Sequence, residues 1–327
     1  MTVANLEKRL RSDPDDRIAA SNLLRILDFH VPTDRGLGAF SECHQVLAKY
    51  HQDREWNDTF SDPAAVAAYF KQLNSALDST GLKPRVAIAQ LFAGQFHSIH
   101  ETQAHCGLHL SLFKKDGVIS QICHDCYKVQ VLPLDLMTFV RTYFALRSLQ
   151  LPRDNCRKCM VEMREDIAYP YKGYIYCESE DEALFCRSVL QQTLEAHEIS
   201  DVYCGISHGC SEFGLKYPGF KYSNDGSHRT FERPGSWDRL EAEFFARNQK
   251  PQRFRKDFNH DGITLSDLVG LRTWVAYAEL IGDEACWQFQ DGPTTEKPQP
   301  FATLATKQAR MRQDELQELA VRIASRP

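Results

Sequence analysis

Between residues 127 and 206 the hydrophobic pattern alternates between a period of two and a helical period, and this alternation leaves few folds open. Residues 127–132 (YKVQVL) alternate and are rich in β-formers, as a half-buried strand requires. Residues 133–149 place Leu134, Met137, Val140, Phe144 and Leu149 on one broad helical face. Residues 159–163 (CMVEM) alternate again, a turn follows at 169–172, and 173–177 (GYIYC) read as a third strand. Residues 179–197 read as a helix with Ser179 as its cap and acidic residues in its first turn. Residues 201–206 (DVYCGI) read as the last strand. The order β-α-β-β-α-β is the split βαβ, or ferredoxin-like, arrangement. The expected class is α+β, with this sheet flanked by N- and C-terminal helical regions.

The flanks have a different texture. Residues 1–95 repeat Leu6, Leu10, Ile18, Leu23, Leu24 and Leu27 at near-helical spacing. A second helix is expected to open at Ser61-Asp62-Pro63, with Asp62 as cap and Pro63 in the first turn, and to stop near Gly81. Residues 96–233 are expected to hold the sheet and most of the cysteines. Residues 234–327 carry three helical patterns, at 237–248, 265–280 and 305–325, with a Pro-rich connector at 293–300. The last of these is highly charged, which suits a lid on the body or a contact with a protein partner.

Eleven cysteines in 327 residues raise the question of compartment. The first residues, MTVANLEKRLR, lack the apolar run of a signal peptide. No stretch approaches the roughly 18 apolar residues of a membrane span. A cytoplasmic location is therefore expected, where clustered thiols serve as metal ligands, redox groups or small buried apolar groups rather than disulfides. The formal charge of −5 argues against a surface built throughout for nucleic acid.

Two Cys-x-x-Cys pairs stand out, Cys123/Cys126 and Cys156/Cys159, with twenty-nine residues between Cys126 and Cys156. Paired thiolates at this spacing suit a tetrahedral ion, because each pair bends around half of it. In the expected fold, strands one and two run parallel and strands three and four run against them. Cys123, Cys126, Cys156 and Cys159 then gather at the same end of the sheet as Cys177, Cys204, His208 and Cys210. By alternation Cys159, Cys177 and Cys204 face the helices and can be plain core residues, as can Cys186. The expected metal set is Cys123, Cys126, Cys156, Cys159, Cys210 and His208, holding zinc or, alternatively, an iron–sulfur cluster. His124, inside the first pair, could replace one thiol. Upstream, His97, His100, His105, Cys106 and His109 crowd into 13 residues, and the run 91–105 can be read as helical. No His follows Glu101 at the spacing of a hydrolytic zinc helix.

Two short strings resemble known families. Lys172-Gly173-Tyr174-Ile175-Tyr176-Cys177 resembles the RNP1 signature of the RNA recognition motif, which shares the β-α-β-β-α-β order. The resemblance implies that Tyr174 and Tyr176 stack bases on an open sheet face. Ile175 stands where that family has a small residue, and the first strand offers Lys128 and Gln130 rather than an aromatic. Asp257-Phe258-Asn259-His260-Asp261-Gly262 resembles the start of an EF-hand loop, but Leu268 stands where the closing acid belongs.

The expected function is thus metal binding at a cysteine-lined end of the sheet, either structural or in the service of an enzyme. The alternatives are an RNA-binding sheet and a protein-interaction module with structural zinc.

Overall fold

The computed structural model describes residues 2–13, 16, 18–19, 22–23, 26, 60–79, 96–98, 106–153, 155–220, 231–248, 265–293 and 301–325. The strands are β1 (Phe96–Ser98), β2 (Tyr127–Pro133), β3 (Arg157–Val161), β4 (Tyr171–Cys177) and β5 (Val202–His208). They form one sheet in the order β1-β3-β4-β2-β5, with every neighbouring pair antiparallel. The helices are α1 (Val3–Ser12), α2 (Pro63–Ser79), α3 (Cys106–Asp116), α4 (Gln121–His124), α5 (Leu136–Ser148), α6 (Glu180–Ala196), α7 (Ser211–Lys216), α8 (Trp237–Arg247), α9 (Leu265–Ile281) and α10 (Phe301–Ala324). The protein is α+β, as its periodicities predict.

Local chemistry sets the helix starts. Asp62 accepts from the Ala64 amide at 2.8 Å, directly before Pro63. Asp135 accepts from Thr138 N at 2.7 Å and opens α5. Ser179 accepts from Glu182 N at 3.2 Å and opens α6, whose first turn holds Glu180, Asp181 and Glu182.

Two helices, α5 and α6, cover one face of the sheet. Val129, Val131, Cys159, Val161, Ile175, Cys177, Cys204 and Ile206 all enter the core there, so the expected parity of the three cysteines holds. Every residue of α5 from Leu136 to Leu146 is buried, because α2 and α9 pack on the helix from the side away from the sheet. Phe139 fills that middle layer, with ring centres 4.3 Å from Trp274 and 5.1 Å from Tyr171. A buried arginine closes the end of α5: Arg157 donates to the carbonyls of Leu146 at 2.7 Å and Leu149 at 2.9 Å.

The opposite face is partly roofed by α10. Leu319 packs on Leu132 and Tyr203, and the Arg322 guanidinium lies 3.9 Å above the Tyr203 ring. Arg312, fully buried, donates to the carbonyls of Glu162, Arg164 and Ile167. The charged terminal helix therefore has a buried face on its own body.

Where the run 91–105 is described, at residues 96–98, it departs from its helical reading. Phe96–Ser98 is a strand, and it pairs antiparallel with 157–159, so that Phe96 lies opposite Cys159. This pairing satisfies backbone groups of β3 that a sheet edge would leave open. Among the described residues no helix is long and apolar enough to cross a membrane.

Candidate functional site

The starts of β2 and β3 and the finishes of β4 and β5 meet at one end of the sheet. Tyr127 lies opposite both Cys177 and His208, and Arg157 lies opposite Ile175. Three short segments close over this end: α3, α4 and α7. Phe113, Ile119, Cys123, Phe213 and Phe220 form a small apolar cluster among them, with Cys210 packed against it.

A glycine places the thiols. Gly209 has φ +59, and its amide donates to the Cys126 carbonyl at 2.8 Å. A Cβ there would stand 2.1 Å from Cε1 of the buried Phe220 ring. The turn brings Cys210, the N-cap residue of α7, beside the Cys123/Cys126 pair.

Four thiols from three stretches of chain, Cys106, Cys123, Cys126 and Cys210, thus share this end of the sheet. Burial pushes the Cys123 thiol up to about 12; the Ser120 hydroxyl opposes this, while Cys210 and Cys106 add to it. Cys126 is pushed up by burial, with Lys128 opposing and Cys210, Cys123 and Cys106 adding. Cys106 is exposed as a residue, yet its thiol is crowded; desolvation and then Cys210 raise it against Lys128 and Lys158. Among the described residues, no three His, Cys, Asp or Glu side chains converge as a ready set of metal ligands. The thiols share a neighbourhood without pointing at one centre.

The other expected ligands are placed differently. Cys159 is fully buried on the helix side of the sheet, where burial raises its thiol, whereas Cys156 is half-buried. His208 is buried with a carbonyl oxygen beside each ring nitrogen, Phe220 O at 3.1 Å from Nδ1 and His124 O near Nε2. His124 is buried, with Nδ1 3.0 Å from Asp125 Oδ1. Cys177 and Cys186 are buried neighbours near the start of α6, and their interaction raises the Cys177 thiol and lowers that of Cys186. In the upstream cluster, His109 is buried with its ring 4.8 Å from that of Phe245. His97 belongs to β1, whereas His100, His105 and residues 257–262 lie outside the described residues.

The open sheet face beside the thiols carries a cavity of about 290 Å³. Its walls include Lys128, Gln130, Lys172, Tyr174, Ser207 and Cys210. Tyr174 is buried and Tyr176 is half-buried, with ring centres 6.2 Å apart. Burial pushes the Tyr174 hydroxyl up to about 12, against the charge of Lys128. These rings do not lie bare on a free sheet.

Next to the cavity is a buried ion pair. Glu162 accepts from Lys172 Nζ at 3.2 Å and from Arg164 Nε at 2.8 Å and Nη2 at 2.7 Å. Burial works to raise the Glu162 carboxyl, but Arg164 and Lys172 outweigh it and hold the group at about 2. Arg164 also pairs with Glu212.

Two participants escape the sequence reading. Cys106 is grouped there with the histidines, although the run that follows it leads to Cys123. Lys128 is read only as the absence of an aromatic. Comparison with family models, curated proteins and solved structures finds no match to this chain.

Proposed function

We propose that this protein binds a thiophilic metal ion at the cysteine end of its sheet, zinc in preference to an iron–sulfur cluster. The donor set is Cys106, Cys123, Cys126 and Cys210, in place of the set that includes Cys156, Cys159 and His208. We infer too that β2 to β5 with α5 and α6 are a ferredoxin-like unit, to which β1 adds an edge strand.

The observation that carries this reading is the gathering of four thiols at one end of the sheet, from the start of α3, from α4 and the residues after it, and from the β5–α7 turn that Gly209 bonds to Cys126. Four thiolates are a soft donor set suited to tetrahedral zinc. The ion would have a structural task. A four-residue α4 and a six-residue α7 are too short to be stable alone. Their shared apolar cluster is small, and an ion bridging Cys106, Cys123, Cys126 and Cys210 would tie all three segments together. Ligation requires the thiol side chains to rotate onto the ion and lose their protons.

Elemental analysis and an absorption spectrum on protein purified without oxygen test the reading, beside Cys123→Ser/Cys126→Ser and Cys159→Ala variants. The expected result is one zinc per chain, no visible colour, loss in the double variant and retention in Cys159→Ala. Iron with broad absorption near roughly 400 nm would replace zinc by a cluster. Folded, metal-free wild-type protein would overturn the proposal.

A further inference from the structure

We propose a second ligand site on this chain: the cavity over the open face of β2, β4 and β5 binds a small molecule through a phosphate group, with Lys128 as its charge partner.

Strand register builds the site. Lys128 lies opposite Tyr176 on one side and Ser207 on the other, and Gln130 lies opposite Tyr174. All five side chains share the face away from α5 and α6. Lys128 is 7% exposed, and its Nζ sits 5.1 Å from the centre of the Tyr174 ring and 6.0 Å from that of Tyr176. Among the described residues no carboxylate pairs with it.

The neighbouring charges are already committed. Lys172 is paired with Glu162. Arg164 is paired with Glu162 and Glu212. Asp166 is exposed at the rim of the cavity. Lys158, opposite Tyr174 on β3, adds another positive charge to the same face. A buried ammonium needs a compensating partner, and aromatic faces supply only part of one.

The walls indicate the ligand class. Ser207, Ser211 and Gln130 offer hydroxyl and amide donors around a lysine, which binds phosphate as a point charge. Among the described residues no arginine fork lines the cavity to grip a planar carboxylate. A volume of about 290 Å³ admits a small phosphate ester rather than a polymer strand. Cys210 borders both this cavity and the thiol cluster, so the two sites adjoin, but they use different donors.

Titration with inorganic phosphate at constant ionic strength tests the proposal, with acetate and chloride as comparison ions and melting temperature and calorimetry as readouts. Phosphate is expected to bind and raise the melting temperature where acetate and chloride do not. Lys128→Met is expected to weaken binding about tenfold or more, and Lys128→Arg to keep most of it. Lys128→Met is expected to keep the metal content of the wild-type protein while losing phosphate binding, which separates this site from the metal reading. Equal effects of all three ions, or unchanged binding in Lys128→Met, would overturn the proposal. Should Lys128→Met not fold, hydrogen exchange on the wild-type protein decides. Phosphate-dependent protection confined to β2, β5 and residues 207–211 supports the site, and protection elsewhere or none refutes it.

Discussion

Gly209 and Cys126 are joined by a single main-chain hydrogen bond, amide to carbonyl at 2.8 Å, and through it the turn after β5 is held against the Cys-x-x-Cys segment before β2. The bond exists because Gly209 takes φ +59 where any Cβ would meet the buried Phe220 ring. Gly209→Ala is therefore expected to lower stability by about 2–4 kcal/mol, combining left-handed strain with overpacking. Urea unfolding measures the loss. Reaction of Cys123 and Cys210 with a thiol reagent should accelerate in parallel; an unchanged midpoint would contradict the account of the turn.

The metal reading has a proton signature. Burial raises the thiols of Cys123, Cys126 and Cys106, so all three carry protons near neutral pH. Zinc must displace those protons, and its affinity should rise steeply with pH. Competition against a chromophoric chelator between about pH 6 and 8 is expected to show more than one proton released per ion. A pH-independent affinity would point to donors other than these thiols.

Glu162 sets the expected acid sensitivity. Its carboxyl is held at about 2 in the folded protein, below its ordinary value of 4.5. The unfolded chain therefore takes up its proton first as pH falls. The stabilisation is complete above about pH 4.5 and lost as pH drops through about 2. Its size is on the order of 3 kcal/mol. Glu162→Gln should lose this acid limb in denaturant titrations at a series of pH values. It should also be destabilised at pH 7, because Lys172 is left buried without its carboxylate.

Arg157 offers a test of how α5 is closed. Its guanidinium donates to Leu146, Leu149 and Asn155 carbonyls from a fully packed position. Arg157→Met keeps much of the packing and removes the donors, leaving buried carbonyls unpaired. A loss of about 2–4 kcal/mol is expected, measured by equilibrium unfolding. A loss below about 0.5 kcal/mol would mean that water replaces the guanidinium there.

Most elements of the sheet region could be read from the chain. The alternation at 127–132 marks β2, whose observed span is Tyr127–Pro133. The helical stripes at 133–149 and 179–197 become α5 and α6, and Ser179 caps as its side chain allows. Strand parity likewise sends Cys159, Cys177 and Cys204 into the core. Cys156 lies just before β3 and is half-buried, whereas Cys159 lies within the strand and is fully buried on its helix side. Three residues of β1 were not legible. A strand of that length carries no period, and it exists only because β3 offers it partners.

By itself the sequence determined the period, the caps, the strand parity and hence the α+β class, because these follow from contacts a few residues apart along one chain. Only the tertiary structure decided which thiols are neighbours, that His208 has a carbonyl beside each nitrogen, that Tyr174 is covered, and that Lys128 is buried beneath aromatic rings. Burial and charge pairing depend on which distant segments meet. Cys106 and Cys210 stand at opposite ends of the sheet-forming segment in sequence, and packing at one end of the sheet makes them neighbours.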